Sequence, residues 1–171
     1  SLESEKSISQ EKASTELSLL NQVAILNAPA GAGKTKTSLE WLGKTNASKV
    51  YYIVPRVVIG QELYSEFKEK YLPENVKIEL ITGESKLFWD GEKENHIEDE
   101  KDCFNGDIII TTIDQLIKSL TTLKNIDVLL DFIFSHVVFD EYHEYAKLSG
   151  FNLLFSELIA IKKMLSSSTT L

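Results

Sequence analysis

Residues 27–42 read NAPAGAGKTKTSLEWL, and this stretch decides the fold. Small residues lead to glycines at Gly31 and Gly33, then to Lys34-Thr35, then to a helix-like run over 34–42. A short apolar run, VAILNA at 23–28, comes just before. A strand, a glycine turn and a Lys-Thr pair opening a helix form the order of a phosphate-binding loop. Glycine lets successive backbone N–H groups converge on phosphate oxygens without a Cβ in the way. The helix N-terminus adds its positive end. In such a loop Lys34 reaches the β and γ phosphates and the Thr35 hydroxyl ligates Mg2+. The pattern's first glycine is replaced by Ala28, a small residue in its place.

Outward from the loop, the chain alternates short apolar runs with longer amphipathic ones. Residues 49–55 (KVYYIVP), 76–82 (VKIELIT), 107–112 (DIIITT) and 136–141 (HVVFDE) are short and mostly β-branched, as strands buried on both faces are. Helix-like stretches fall at 57–70, 113–120, about 128–134 and 153–165. Alternation of this kind predicts an α/β fold with a mostly parallel central sheet and helices on both faces. Residues 1–20 read as an entry segment, either frayed or vector-derived. The acidic stretch 83–106 breaks the rhythm and is too long for a simple connection. It reads as a solvated, partly mobile insertion or as a partner-docking loop, with Phe88 and Trp89 pinning its base and His96 exposed.

With 171 residues the chain has the size of one domain, and its composition, 43% hydrophobic and 26% charged, is globular. No apolar run is long enough to span a membrane, and the first residues lack the apolar core of a secretion signal. The lone Cys103 has no internal partner, which fits a reducing, cytoplasmic setting. His96, His136, His143 and Cys103 show no zinc spacing, so no structural metal is expected. The net charge of −8 argues against a broad basic nucleic-acid surface and requires any such contact to be local.

A phosphate loop needs an acidic partner for its metal. The run SHVVFDEYHEY at 135–145 supplies one: an apolar strand ending in Asp140-Glu141. Asp140 at the strand's end suits Mg2+, and Glu141 suits orienting and deprotonating a water. In a parallel sheet both loops emerge on the same C-terminal edge.

With APAGAGKT at 28–35 and DEYH at 140–143, the chain resembles the first RecA-like domain of a superfamily 2 DExH helicase. IVPRVVIGQEL at 53–63 resembles that family's motif Ia. TTIDQL at 111–116 resembles a segment typical of the CRISPR-associated helicase-nuclease of type I interference. The resemblance makes Ala28, Pro29, Ala30, Gly31, Ala32, Gly33, Lys34 and Thr35 the ATP site, with Gln10 upstream as a candidate adenine reader. It makes Thr35 and Asp140 the Mg2+ ligands, Glu141 and Lys34 catalytic, and His143 a catalytic-site coupling residue. Pro55, Arg56, Thr111 and Thr112 become candidate contacts to single-stranded DNA, with Asp114 and Gln115 in support. Ser168 and Thr170 resemble the motif linking ATP state to nucleic-acid grip. The implied partners are a second RecA-like domain, an HD nuclease and a CRISPR interference complex. The alternatives are a DExH translocase of a restriction or repair system, or an ATP-dependent switch that binds a partner without translocating.

Overall fold

The computed structural model describes residues 2–18, 33–73, 75–121 and 126–165. The predicted strand at 23–28, Ala28 to Ala32 of the glycine loop, and Ser168 and Thr170 lie outside the described residues. The order of elements is α1 (Leu2–Ser18), α2 (Lys34–Lys44), β1 (Val50–Val54), α3 (Val57–Glu66), β2 (Ile78–Ile81), β3 (Lys86–Trp89), β4 (Glu94–His96), β5 (Ile108–Thr112), α4 (Ile113–Thr121), α5 (Ile126–Phe134), β6 (His136–Phe139), α6 (Tyr142–Tyr145) and α7 (Phe151–Leu165). A π-helical turn, Phe67–Tyr71, continues α3.

Among the described residues the sheet runs β4-β3-β2-β5-β1-β6. Its four inner and DEYH-side strands are parallel, with β1 aligned to β5 (Tyr52 opposite Ile110) and to β6 (Tyr52 opposite Val138). Side chains alternate in direction along a strand, so a strand that is apolar throughout feeds two cores. Val50, Tyr52 and Val54 of β1 pack with Trp41 of α2 and Leu63, Tyr64 and Phe67 of α3. Tyr51 and Ile53 pack on the other face with Leu116, Phe132 and Phe151 of α4, α5 and α7. The α/β fold with helices on both faces of a mostly parallel sheet is the one the sequence predicts.

The acidic insertion differs from the expected mobile loop. Its first half forms the hairpin β3–β4, which extends the sheet by two antiparallel strands, Ile78 facing Trp89 and Phe88 facing Asn95. Leu87 and Trp89 pack on the α3-side core. The Lys68 ammonium lies 2.6 Å from Glu94 and over the rings of Tyr64 and Trp89, at 4.5 Å and 5.4 Å. The entry segment also differs: α1 is a helix docked on α2, its face made by Gln10 and Ser14, both buried. Lys44 donates to Glu11 O, Ser14 Oγ and Thr15 Oγ1 across that contact.

The end of the insertion closes on Glu79, whose side chain is fully buried. Its carboxylate accepts from the backbone N–H of Phe104 at 2.6 Å and from those of Asn105 and Gly106. Burial raises the carboxyl's pKa, while the three N–H donors and the Lys49 charge oppose the rise. Glu79→Ala removes the acceptor of three backbone N–H donors, two of them buried, and is expected to cost about 2–4 kcal/mol of stability, read by chemical denaturation. Glu79→Gln, which keeps one acceptor, is expected to cost less. Cys103 is buried, and burial pushes its thiol up to about 11, far from a reactive thiolate. No described helix is long and apolar enough to cross a membrane.

Candidate nucleotide site

Gly33 sits at the N-terminus of α2 with φ 81 and ψ 37, left-handed backbone that L side chains adopt reluctantly. A Cβ there would also collide with the Gln10 side-chain amide. The positive φ is what favours glycine here, since the Gln10 side chain could swing aside, and Gln10 of α1 stands against the turn itself. Lys34 and Thr35 open the helix. The Thr37 and Ser38 hydroxyls bond back to Gly33 O and Lys34 O within the first turns of the helix.

Across the sheet edge, β6 ends at Phe139 and the chain turns through Asp140 and Glu141 into α6. Glu141 has φ 53 and ψ 46, left-handed backbone in a residue with a full side chain. Such a conformation carries a penalty of about 1–2 kcal/mol and collects at sites where position matters more than comfort. The turn is held from below: Asp140 N–H and the Tyr145 hydroxyl both donate to Ile53 O, each at 2.9 Å. Phe139, Tyr142, Phe151 and Phe155 pack around it, mostly edge-on or tilted, with ring centroids 5.1–6.4 Å apart.

The two halves meet. Lys34 Nζ lies 3.3 Å from Glu141 Oε1, although 107 residues separate them in sequence. His143 Nδ1 lies 3.3 Å from the other oxygen, Oε2. Both Lys34 and Glu141 keep about a quarter to a third of their side chains exposed, at 27% and 30%, so the pair is open to a ligand. Thr35 and Asp140 line one cavity of about 600 Å3, walled by Val58, Ile59 and Glu62 of α3.

Asp140 has its pKa raised, first by burial and then by the Glu141 charge, with Lys34 opposing. A cation beside it would relieve both causes. Among the described residues no three His, Cys, Asp or Glu side chains cluster to hold a metal by themselves. One carboxylate and one hydroxyl fit Mg2+, which keeps waters and takes phosphate oxygens for its remaining positions. The Tyr52 hydroxyl, buried in β1, bonds with Thr35 and Ser38, and burial raises its pKa. Sequence reading passed over Tyr52; its signal was a phenol inside a strand buried on both faces, where the O–H needs a partner.

The candidate nucleic-acid residues fall into two groups. Pro55 and Arg56 follow β1, half-buried and exposed respectively, and Arg56 Nη2 donates to Glu144 Oε1 at 3.1 Å. Asp114 is exposed and Gln115 half-buried at the start of α4. Thr111 and Thr112 are buried, at 0% and 7% exposure. The Thr112 hydroxyl accepts from Gln115 N–H and so tethers the start of α4 rather than facing solvent.

A family model described as "Type III restriction enzyme, res subunit" matches residues 5–171. A protein of Methanocaldococcus jannaschii described as a CRISPR-associated nuclease/helicase Cas3 is 32% identical, over 78% of this chain and 20% of that protein. The chain thus spans about a fifth of the length of that curated relative. The matched range runs from within α1 past the glycine turn and the DEYH strand, so the chain belongs to the family of the type III restriction enzyme res subunit, as a Cas3-like first RecA-like domain of a superfamily 2 helicase.

Proposed function

We propose that the chain is the ATP-binding half of a DNA motor, coupling ATP hydrolysis to movement along single-stranded DNA in type I CRISPR interference. The observation that carries this is the meeting of Lys34 Nζ and Glu141 Oε1 at 3.3 Å, beside a cavity shared by Thr35 and Asp140. Lys34 binds the β and γ phosphates together with the Gly31 and Gly33 turn. Thr35 Oγ1 and the Asp140 carboxylate would hold Mg2+, which would supply positive charge against the phosphate oxygens. Glu141 orients a water whose oxygen bonds to the γ phosphorus while the bond to the ADP oxygen breaks, and it takes the water's proton. His143 steadies Glu141 through Oε2. Gln10, which lies against Gly33, takes the role of adenine reader.

Arg56, with Pro55, Asp114 and Gln115, forms the DNA edge, and Thr111 and Thr112 support it from within. A second RecA-like domain completes the ATP site in the intact protein, and an HD nuclease and a CRISPR interference complex are its partners. Few phosphate contacts and a charge of −8 give this domain weak DNA affinity on its own. A restriction translocase is the second reading, favoured by the description of the matching family.

The test is ATP turnover by the intact protein with and without single-stranded DNA. Turnover is expected to rise with DNA, and Arg56→Ala is expected to blunt the rise. DNA-independent turnover with an unchanged Arg56 variant would instead support an ATP-dependent switch.

A further inference from the structure

We propose that Glu144 is a positioning residue that gates hydrolysis on nucleic acid by occupying the Arg56 guanidinium until a DNA phosphate displaces it. This rests on the motor reading above. Arg56 is the N-cap residue of α3, at the C-terminal end of β1, with extended backbone and a side chain 63% exposed. A guanidinium placed there is the natural fork for a backbone phosphate. It is already engaged by the Glu144 carboxylate at 3.1 Å. A phosphate taking the same fork meets a like charge beside it, so the two anions compete.

Glu144 also reaches Glu141. It sits on α6, the single helical turn that begins beside Glu141, and its N–H donates to Glu141 O at 2.8 Å. That carbonyl belongs to the residue held in left-handed backbone, with Lys34 on one carboxylate oxygen and His143 on the other. The far end of α6 is anchored by Tyr145 to Ile53 O. Releasing Glu144 therefore loosens the turn at Glu141 while the anchored end stays put. The path from the DNA edge to the water-activating carboxylate is two residues long, Glu144 then Glu141.

An exposed ion pair of this kind is weak, which suits a gate that DNA must open. Glu144→Gln in the intact protein is expected to lower the oligothymidylate concentration giving half-maximal ATP turnover by about two- to fivefold. It is also expected to shrink the ratio of DNA-bound to DNA-free turnover. Glu144→Asp, which keeps the charge, is expected to lie nearer wild type. In an Arg56→Gln background, Glu144→Gln is expected to leave the half-activating concentration unmoved, because its competitor's target is gone. A role confined to stability would give the same change in both backgrounds. A wild-type protein that oligothymidylate does not stimulate overturns both the motor reading and the gate. A stimulated wild type whose half-activating concentration is unmoved or raised by Glu144→Gln, or shifted equally in both backgrounds, overturns the gate alone.

Discussion

Glu141→Gln in the intact protein is expected to lower DNA-stimulated ATP turnover by about 10²–10⁴-fold, with KM for ATP unchanged or slightly reduced. Gln keeps the shape of Glu but cannot accept a proton from water. It also removes one of the two charges in the pair with Lys34 at 3.3 Å. The ammonium, no longer neutralised by a carboxylate, is then freer to meet phosphate. Lys34→Ala separates binding from proton transfer: it is expected to raise KM for ATP as well as depress kcat, because the phosphates lose their cation. Steady-state kinetics tell the two variants apart, since only Lys34→Ala is expected to raise KM. If either variant turns over at the wild-type rate, the pair is structural and the site lies elsewhere.

Much of this arrangement was legible before any coordinates. Four parallel strands announced themselves as apolar β-branched runs, and Gly33-Lys34-Thr35 marked the start of α2. What sequence could not reveal were distances between residues far apart in the chain. The link from Lys34 to Glu141 follows once both are assigned to the same sheet edge, but the one from Arg56 to Glu144, 88 residues on, follows from no motif. The buried face of α1 was invisible for a different reason. It is made of Gln10 and Ser14, four apart, and a polar stripe gives no apolar periodicity to detect.

The hairpin in the acidic insertion was a signal misread. Asp90-Gly91 lies between KLFW and ENH, a dipeptide that favours a tight turn between strands. Gly91 has φ 104, and Asp90 Oδ1 accepts from the N–H groups of Glu92 and Lys93. Those donors hold the Asp90 carboxyl below its usual range. The tip is exposed at 92–96 as its charge suggests, and Trp89 pins the base as expected, but its partner there is Leu87 rather than Phe88, and the segment pairs as strands.

Lys162→Met is expected to destabilise the domain by about 2–4 kcal/mol, a large loss for a lysine near the end of a surface helix. The reason is that Lys162 is 2% exposed and caps another helix. Its ammonium donates to Phe132 O, Ile133 O and Ser135 O at 3.0, 2.7 and 2.6 Å, the last carbonyls of α5 and the turn after it. The last carbonyls of a helix lack the N–H of a following turn, and a cation there also faces the negative end of the helix dipole. Met fills the volume but removes the three hydrogen bonds that the ammonium donates. Burial brings the amine's pKa down to about 8 from the 10.5 of a free lysine. Between those values the unfolded chain holds more protons than the folded one, so stability contributed at this site grows as pH rises from 8 to 10.5. The gap between wild type and Lys162→Met, which lacks that titration, is therefore expected to widen across the window. Denaturant midpoints at pH 7 and pH 10 measure it. A gap that narrows would mean the three carbonyls, not burial, set the proton affinity of this lysine.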